Sequence, residues 1–229
     1  MDSRASLRNS FAIGVSCSSA SAGGLLKSAD GNMSMQTASI GFRAKTGRAI
    51  AVALTSGNSG PAFLARWEVA LHDPHRPATG QPHHEVMEMP WVDAQSAVRP
   101  FERQIESIAV EVLSGLLKEL QSKGCRVGSI GVVGSPDRKL EAIGNPHIRA
   151  HAAEGILFRR VLEVAADEHK LRWRSFSDRT FNDQALTELR RKPQDLTTTL
   201  VSIGHTAGKP WRADERIAAT AAWLMLNAG

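Results

Sequence analysis

A chain of 229 residues is long enough for one sizeable hydrophobic core, so one domain with a short extension is expected. Hydrophobic residues make up 42% and charged residues 22%, the balance of a soluble globular protein, and no run reaches the roughly 18 apolar residues of a membrane span. The net charge of +5 leans toward nucleic acid or another phosphate-bearing ligand, while the lack of tyrosine and only 5% aromatics argue against an extended base-stacking platform.

Residues 1–35 are rich in Ser, Ala and Gly without periodicity and read as a disordered or leader-like tail, leaving 36–229 as the domain. Arg4 and Arg8 precede the apolar patch Phe11 to Val15, and Ala20-Ser21-Ala22 mimics a signal-peptidase site, but the patch is short for an export signal. Cys17 and Cys125 give no disulfide framework, and a reducing, cytoplasmic location is expected.

Ser39 to Ala44 and Arg48 to Leu54 alternate like strands, with Lys45-Thr46-Gly47 as the hairpin turn. Ile50, Val52 and Leu54 share one face; Ala49, Ala51 and Ala53 share the other, which would let a helix approach closely. Ala62 to Leu71 adds a third strand and completes an antiparallel meander. His72 to Pro90 holds four prolines and four histidines, His72, His75, His83 and His84, beside Glu85 and Glu88. Clustered His and Glu can bind metal, but the spacing matches no established zinc pattern, so an exposed loop is expected there.

Gln95 to Ser122 carries a helical stripe of Val98, Phe101, Ile105, Ile108, Val112, Leu116 and Leu120, closed by Lys123-Gly124. Arg126 to Val133 is short and apolar, as a parallel strand covered on both faces would be. Asn145-Pro146 then offers an N-cap and an N1 proline. On the helix that follows, Arg149, Arg159, Arg160, Glu163 and Asp167 fall on a solvated side, with Leu157, Phe158, Val161, Leu162 and Ala165 opposite. Leu171 to Phe176 reads as a strand and Phe181 to Lys192 as a basic helix stopped by Pro193, while Leu196 to Ile203 fits helix or strand. The last helix, Ala213 to Asn227, turns Asp214 inward with Ile217, Ala218, Ala221, Leu224 and Met225, and turns Glu215 and Arg216 away.

Several polar residues stand where chemistry could sit. His147, His151 and Glu154 lie within an arc of about 60° on the core side of their helix. A buried carboxylate must be paired, metal-bound or protonated. The helix dipole alone accounts for Asp214 in a first turn, but not for Glu154, which lies more than two turns in. Two such carboxylates a few ångströms apart could hold a divalent metal, Mg²⁺ or Mn²⁺. His147 and His151 have ligand-like i, i+4 spacing, and His151 could instead orient Glu154 by a hydrogen bond. Arg43 and Lys45 could meet a phosphate, although the turn is no Walker A loop. Gly128, Gly131 and Gly134 lie within a strand and make no dinucleotide site. Arg190-Arg191-Lys192 with Lys170, Arg172 and Arg174 reads as a solvated face or a nucleic-acid track.

The element order resembles the ribonuclease H-like superfamily, which includes Holliday-junction resolvases and, as relatives, actin-like ATPases. The stretch from Ser39 to Leu54 is similar to the family's first hairpin, and Arg212 to Ala222 is similar to the acidic, alanine-rich last helix of the resolvases. The resemblance implies an α/β domain with a mixed sheet, an antiparallel three-strand meander followed by two parallel strands, and helices on both faces. It also implies a metal-dependent nuclease acting on nucleic acid, with Asp214 at the position of a metal-binding Asp. Glu154, Asp214 and His147 would then ligate Mg²⁺ or Mn²⁺, His151 would be general base or orienter, and Arg43 and Lys45 would contact phosphate. The family's first strand carries a metal-binding Asp, whereas Ser39 to Lys45 contains no acid. Two alternatives therefore stand: a non-catalytic binding or scaffold module, and a nucleotide-binding relative of the actin-like ATPases.

Overall fold

The computed structural model describes residues 16–17, 35–58 and 60–228, so the tail reading for 1–35 lies almost wholly outside the described residues. β1 (Ser16–Cys17) pairs antiparallel with Trp67 and Glu68. β2 (Gln36–Lys45) and β3 (Arg48–Gly57) form a hairpin across Thr46-Gly47, where Gly47 takes φ +73°, a left-handed conformation that favours glycine. β4 (Gly60–Ala70) completes the meander. Next come the short α1 (Pro82–Glu85), the long α2 (Trp91–Ser122) and β5 (Cys125–Gly134). The remaining elements are α3 (Pro146–Glu168), β6 (Arg172–Ser177), α4 (Phe181–Leu189), α5 (Pro193–Ala207) and α6 (Ala213–Asn227).

The strand order is β1-β4-β3-β2-β5-β6, with β5 parallel to both β2 and β6 and the other pairs antiparallel. A meander, two parallel strands and helices on both faces match the mixed-sheet α/β architecture expected from the resemblance. Strand alternation divides the core between the faces. Ile40 and Phe42 of β2 and Ala49, Ala51 and Ala53 of β3 pack with Ile105 and Leu113 of α2 and Phe158 and Val161 of α3. Ile50, Val52 and Leu54 of β3 pack on the other side with Ala218, Ala222 and Trp223 of α6, Ala185 of α4 and Ile203 of α5.

On that second face β2 and β5 present small residues, and α6 lies directly on them. A Cβ added to Gly41 would fall 1.9 Å from the Ala218 carbonyl oxygen, and one on Gly131 would fall 3.0 Å from that of Ala221. The Ser39 hydroxyl donates to the Ala222 carbonyl at 2.5 Å, and the Ser129 hydroxyl donates to that of Met225 at 3.2 Å. This backbone-level approach occurs opposite the alanine face of β3, so glycine and serine of the neighbouring strands, rather than those alanines, admit α6.

Several sequence expectations change. The segment 196–203 is helical within α5, and α4 stops at Leu189 because Arg190 turns left-handed at φ 52°. His72 to Pro90 is not an exposed loop: it holds two short helical turns, and Thr79, Pro82, His83 and Val86 are buried. Arg159 is buried rather than solvated, donating from Nε to the Ser135 carbonyl at 2.9 Å and pairing with Asp137 and Glu163. Glu215 is also buried: it accepts from the Arg212 backbone N–H at 2.8 Å and faces Arg66 at 3.6 Å. Capping gives that first-turn acid an inward role that the apolar stripe does not reveal.

Candidate functional site

Among the described residues, the residues predicted for a site fall into two polar clusters, one on each set of helices. The first stands at the carboxyl end of β2. Arg43 points to the face covered by α6, and its side chain lies between two carboxylates. Its Nη2 is 3.3 Å from Asp178 Oδ2 and its Nε is 3.6 Å from Asp214 Oδ1. Lys45 Nζ reaches the same Asp214 oxygen at 3.1 Å. Asp214 sits in the first turn of α6, which suits an acid. Asp178 follows β6, its backbone N–H donating to the Gly134 carbonyl at 2.9 Å. A cleft of about 160 Å³ opens beside Asp178, lined by Ser135, Pro136, Arg138, Ala152 and Arg179. Arg138 and Arg179 are exposed, and among the described residues neither guanidinium makes an ion pair.

A carboxylate-bound Mg²⁺ or Mn²⁺ does not fit this end of the sheet. Such an ion needs charged oxygens converging on an open space. Here the two carboxylates converge on Arg43, whose side chain is only 12% exposed and already supplies the positive charge. Asp178 escaped the sequence reading, although an acid just past the carboxyl end of a parallel strand is placed where open α/β sheets bind ligands.

The second cluster lies between α1 and α3. The Asn145 side chain caps α3, accepting from the Ile148 N–H at 3.0 Å, and the helix then projects His147, His151 and Glu154 toward α1. Glu154 is fully buried. Its Oε1 accepts from His84 Nδ1 at 2.7 Å and from the His84 backbone N–H at 3.3 Å, while Oε2 has no partner among the described residues. The Nε2 atoms of His147 and His151 are 3.1 Å apart, and the His84 ring stands edge-on to both, with centroids 5.0 and 4.4 Å away. His84 Nε2 is buried without a partner among the described residues. Ligand atoms of the three histidines lie within 4.8 Å of one another, so this group could hold a metal ion. Burial pushes the Glu154 carboxyl above its ordinary range, with the His84 contacts pulling the other way. Neighbouring His83 drops to about 4, through burial and then the charge of His84, and is therefore neutral at pH 7.

The structure thus brings Arg43 and Lys45 to Asp214, and His147 and His151 to each other and to Glu154 through His84. It does not bring Glu154 to Asp214. Their helices cover opposite faces of the sheet, and each carboxylate is engaged by different partners. The expected ligand set Glu154, Asp214 and His147 is thus not gathered into one group among the described residues. Helical projection shows which side of a helix is buried, not which face of the sheet that helix covers. His84 was visible among the clustered histidines, but only tertiary contact joins it to a helix 70 residues away.

No protein-family profile matches the chain, and no curated protein matches it either. Among solved structures, Thermus thermophilus RuvC aligns at 12% identity and TM-score 0.48, covering 83% of this chain and 95% of that one. The same resolvase in complex with a Holliday junction substrate aligns at 11% identity and TM-score 0.48, over 84% and 94%. The yeast mitochondrial Holliday junction resolvase Ydc2 aligns at 8% identity and TM-score 0.39, over 87% and 84%. These structural neighbours are resolvases by their own descriptions, and the fold of this chain is described by its own strand order and helix placement. Among the described residues no helix is long and apolar enough to cross a membrane.

Proposed function

We propose that this chain is a ribonuclease H-like module that binds a phosphate-bearing polyanion, nucleic acid, at the carboxyl edge of its sheet without two-metal hydrolysis there. One observation carries the reading: the Arg43 guanidinium stands between Asp178 and Asp214, where a carboxylate-bound ion would have to sit. Arg138 and Arg179 line the cleft with Asp178, and Arg43 stands behind that carboxylate, with Lys45 on Asp214. Free guanidinium groups beside a cleft suit phosphate, which they can engage in bidentate fashion. The net charge of +5 acts in the same direction.

Fluorescence anisotropy with labelled single-stranded, duplex and four-way-junction DNA over a salt series tests this. Binding is expected to weaken with salt by about 0.9 logarithmic units per phosphate contacted. The double variant Arg138→Ala/Arg179→Ala should weaken binding and flatten that slope by about 2, roughly one unit per lost contact. EDTA should change nothing, and the DNA should stay intact in Mg²⁺ or Mn²⁺. Absent or salt-independent binding would end the polyanion reading. Cleavage in Mg²⁺ that disappears in Asp214→Asn would restore a metal-dependent nuclease.

A further inference from the structure

The histidine cluster stands apart from the polyanion reading, because it faces α1 rather than the cleft beside Asp178. We infer that His84, His147 and His151 form a transition-metal centre of the zinc class, with Glu154 holding His84 in the ligating tautomer.

The donor atoms argue first. Metal–nitrogen bonds of 2.0–2.1 Å at tetrahedral angles set ligand nitrogens about 3.3 Å apart. His147 Nε2 and His151 Nε2 already stand at 3.1 Å, and all three histidines have ligand atoms within 4.8 Å. Spacing of i, i+4 places both α3 rings on one side of the helix, one turn apart.

The second argument comes from what is left unsatisfied. A hydrogen bond between His147 and His151 uses one nitrogen of each but nothing of His84. His84 gives Nδ1 to Glu154, and its Nε2 is buried beside the other two rings with no partner among the described residues. A buried polar atom in that state costs free energy unless something binds it. A metal satisfies all three Nε2 atoms at once. A carboxylate on the far nitrogen of a ligating histidine is what fixes ring orientation and raises ligand basicity in metal sites. Glu154 occupies that position, fully buried. It is a positioning residue here, not a ligand.

The ligand chemistry sets the ion. Neutral imidazoles suit Zn²⁺, Co²⁺, Ni²⁺ or Cu²⁺, whereas Mg²⁺ prefers oxygen. Three protein ligands leave a fourth position for water, and exposed His147 and His151 leave that position open to solvent. Such an open site, unlike a closed four-ligand one, can also accept a small anionic ligand.

The test uses the untagged full chain, stripped with EDTA and titrated with Zn²⁺ by calorimetry and with Co²⁺ by visible absorption. One equivalent of each is expected, with the intense absorption of tetrahedral Co²⁺ and no competition from Mg²⁺. His147→Ala and His151→Ala, at exposed positions that spare the fold, should each abolish the tetrahedral spectrum. Glu154→Gln should keep the one-to-one stoichiometry and weaken Zn²⁺ binding about 10- to 100-fold. The inference is overturned by no binding, by binding that survives both histidine substitutions together, or by competition from Mg²⁺.

Discussion

Replacing Glu154 with alanine is expected to destabilise the fold by about 3–5 kcal/mol, the cost of breaking a buried polar pair by deleting one member. Two terms add. The His84 ring N–H and backbone N–H both lose the oxygen they share, and their desolvation is no longer repaid. The side chain is fully buried between α1 and α3, so truncation also leaves a cavity. Glu154→Leu separates the two terms. It fills the space and so removes the cavity term, but it leaves the two His84 donors unpaired, so it should still cost about 1–3 kcal/mol in urea unfolding, less than alanine. It also removes the group that orients His84 and should lose Zn²⁺ affinity. Alanine and leucine variants that both match wild type in urea unfolding and in Zn²⁺ binding would show that the buried contact contributes nothing.

Arg43→Asp is expected to turn a closed cationic cluster into a divalent-metal site. The substitution removes the guanidinium between Asp178 and Asp214 and adds a third carboxylate beside them, leaving Lys45 as the nearest counter-ion. Without metal the variant should lose about 1–3 kcal/mol, less than a fully buried pair would, because the groups are partly exposed and screened. Mg²⁺ or Mn²⁺ at about 100 times its dissociation constant should return about 2.7 kcal/mol, read as a rise in Tm. Wild-type protein should show no such rise. Equal stabilisation of both proteins would mean that Arg43 does not keep the ion out.

Much of the fold was legible because hydrophobic period and turn chemistry agree in this chain. The hairpin turn at Thr46-Gly47, the capped start of α3 at Asn145-Pro146 and the span of α6 from Ala213 to Asn227 all follow from local signals. The site was legible only in pieces. Glu154 announces itself as an acid on a core-facing arc, and His147 and His151 by their spacing, but His84 belongs to a segment whose prolines and polarity read as loop. Arg43 reads as one strand residue among others until the structure sets it against Asp178 and Asp214, which arrive from β6 and α6. Helical projection also mistook Glu215 for a solvated residue and Asp214 for the buried one. A first-turn acid can fold back onto its own helix start, and no periodicity carries that information.

The most direct measurement is anomalous X-ray diffraction from crystals soaked separately in Zn²⁺ and Mn²⁺. The account expects one zinc peak within about 2.1 Å of nitrogens from His84, His147 and His151, and no manganese peak between Asp178 and Asp214. A manganese ion bound between those carboxylates with Arg43 displaced, or no zinc at the histidines, would contradict it.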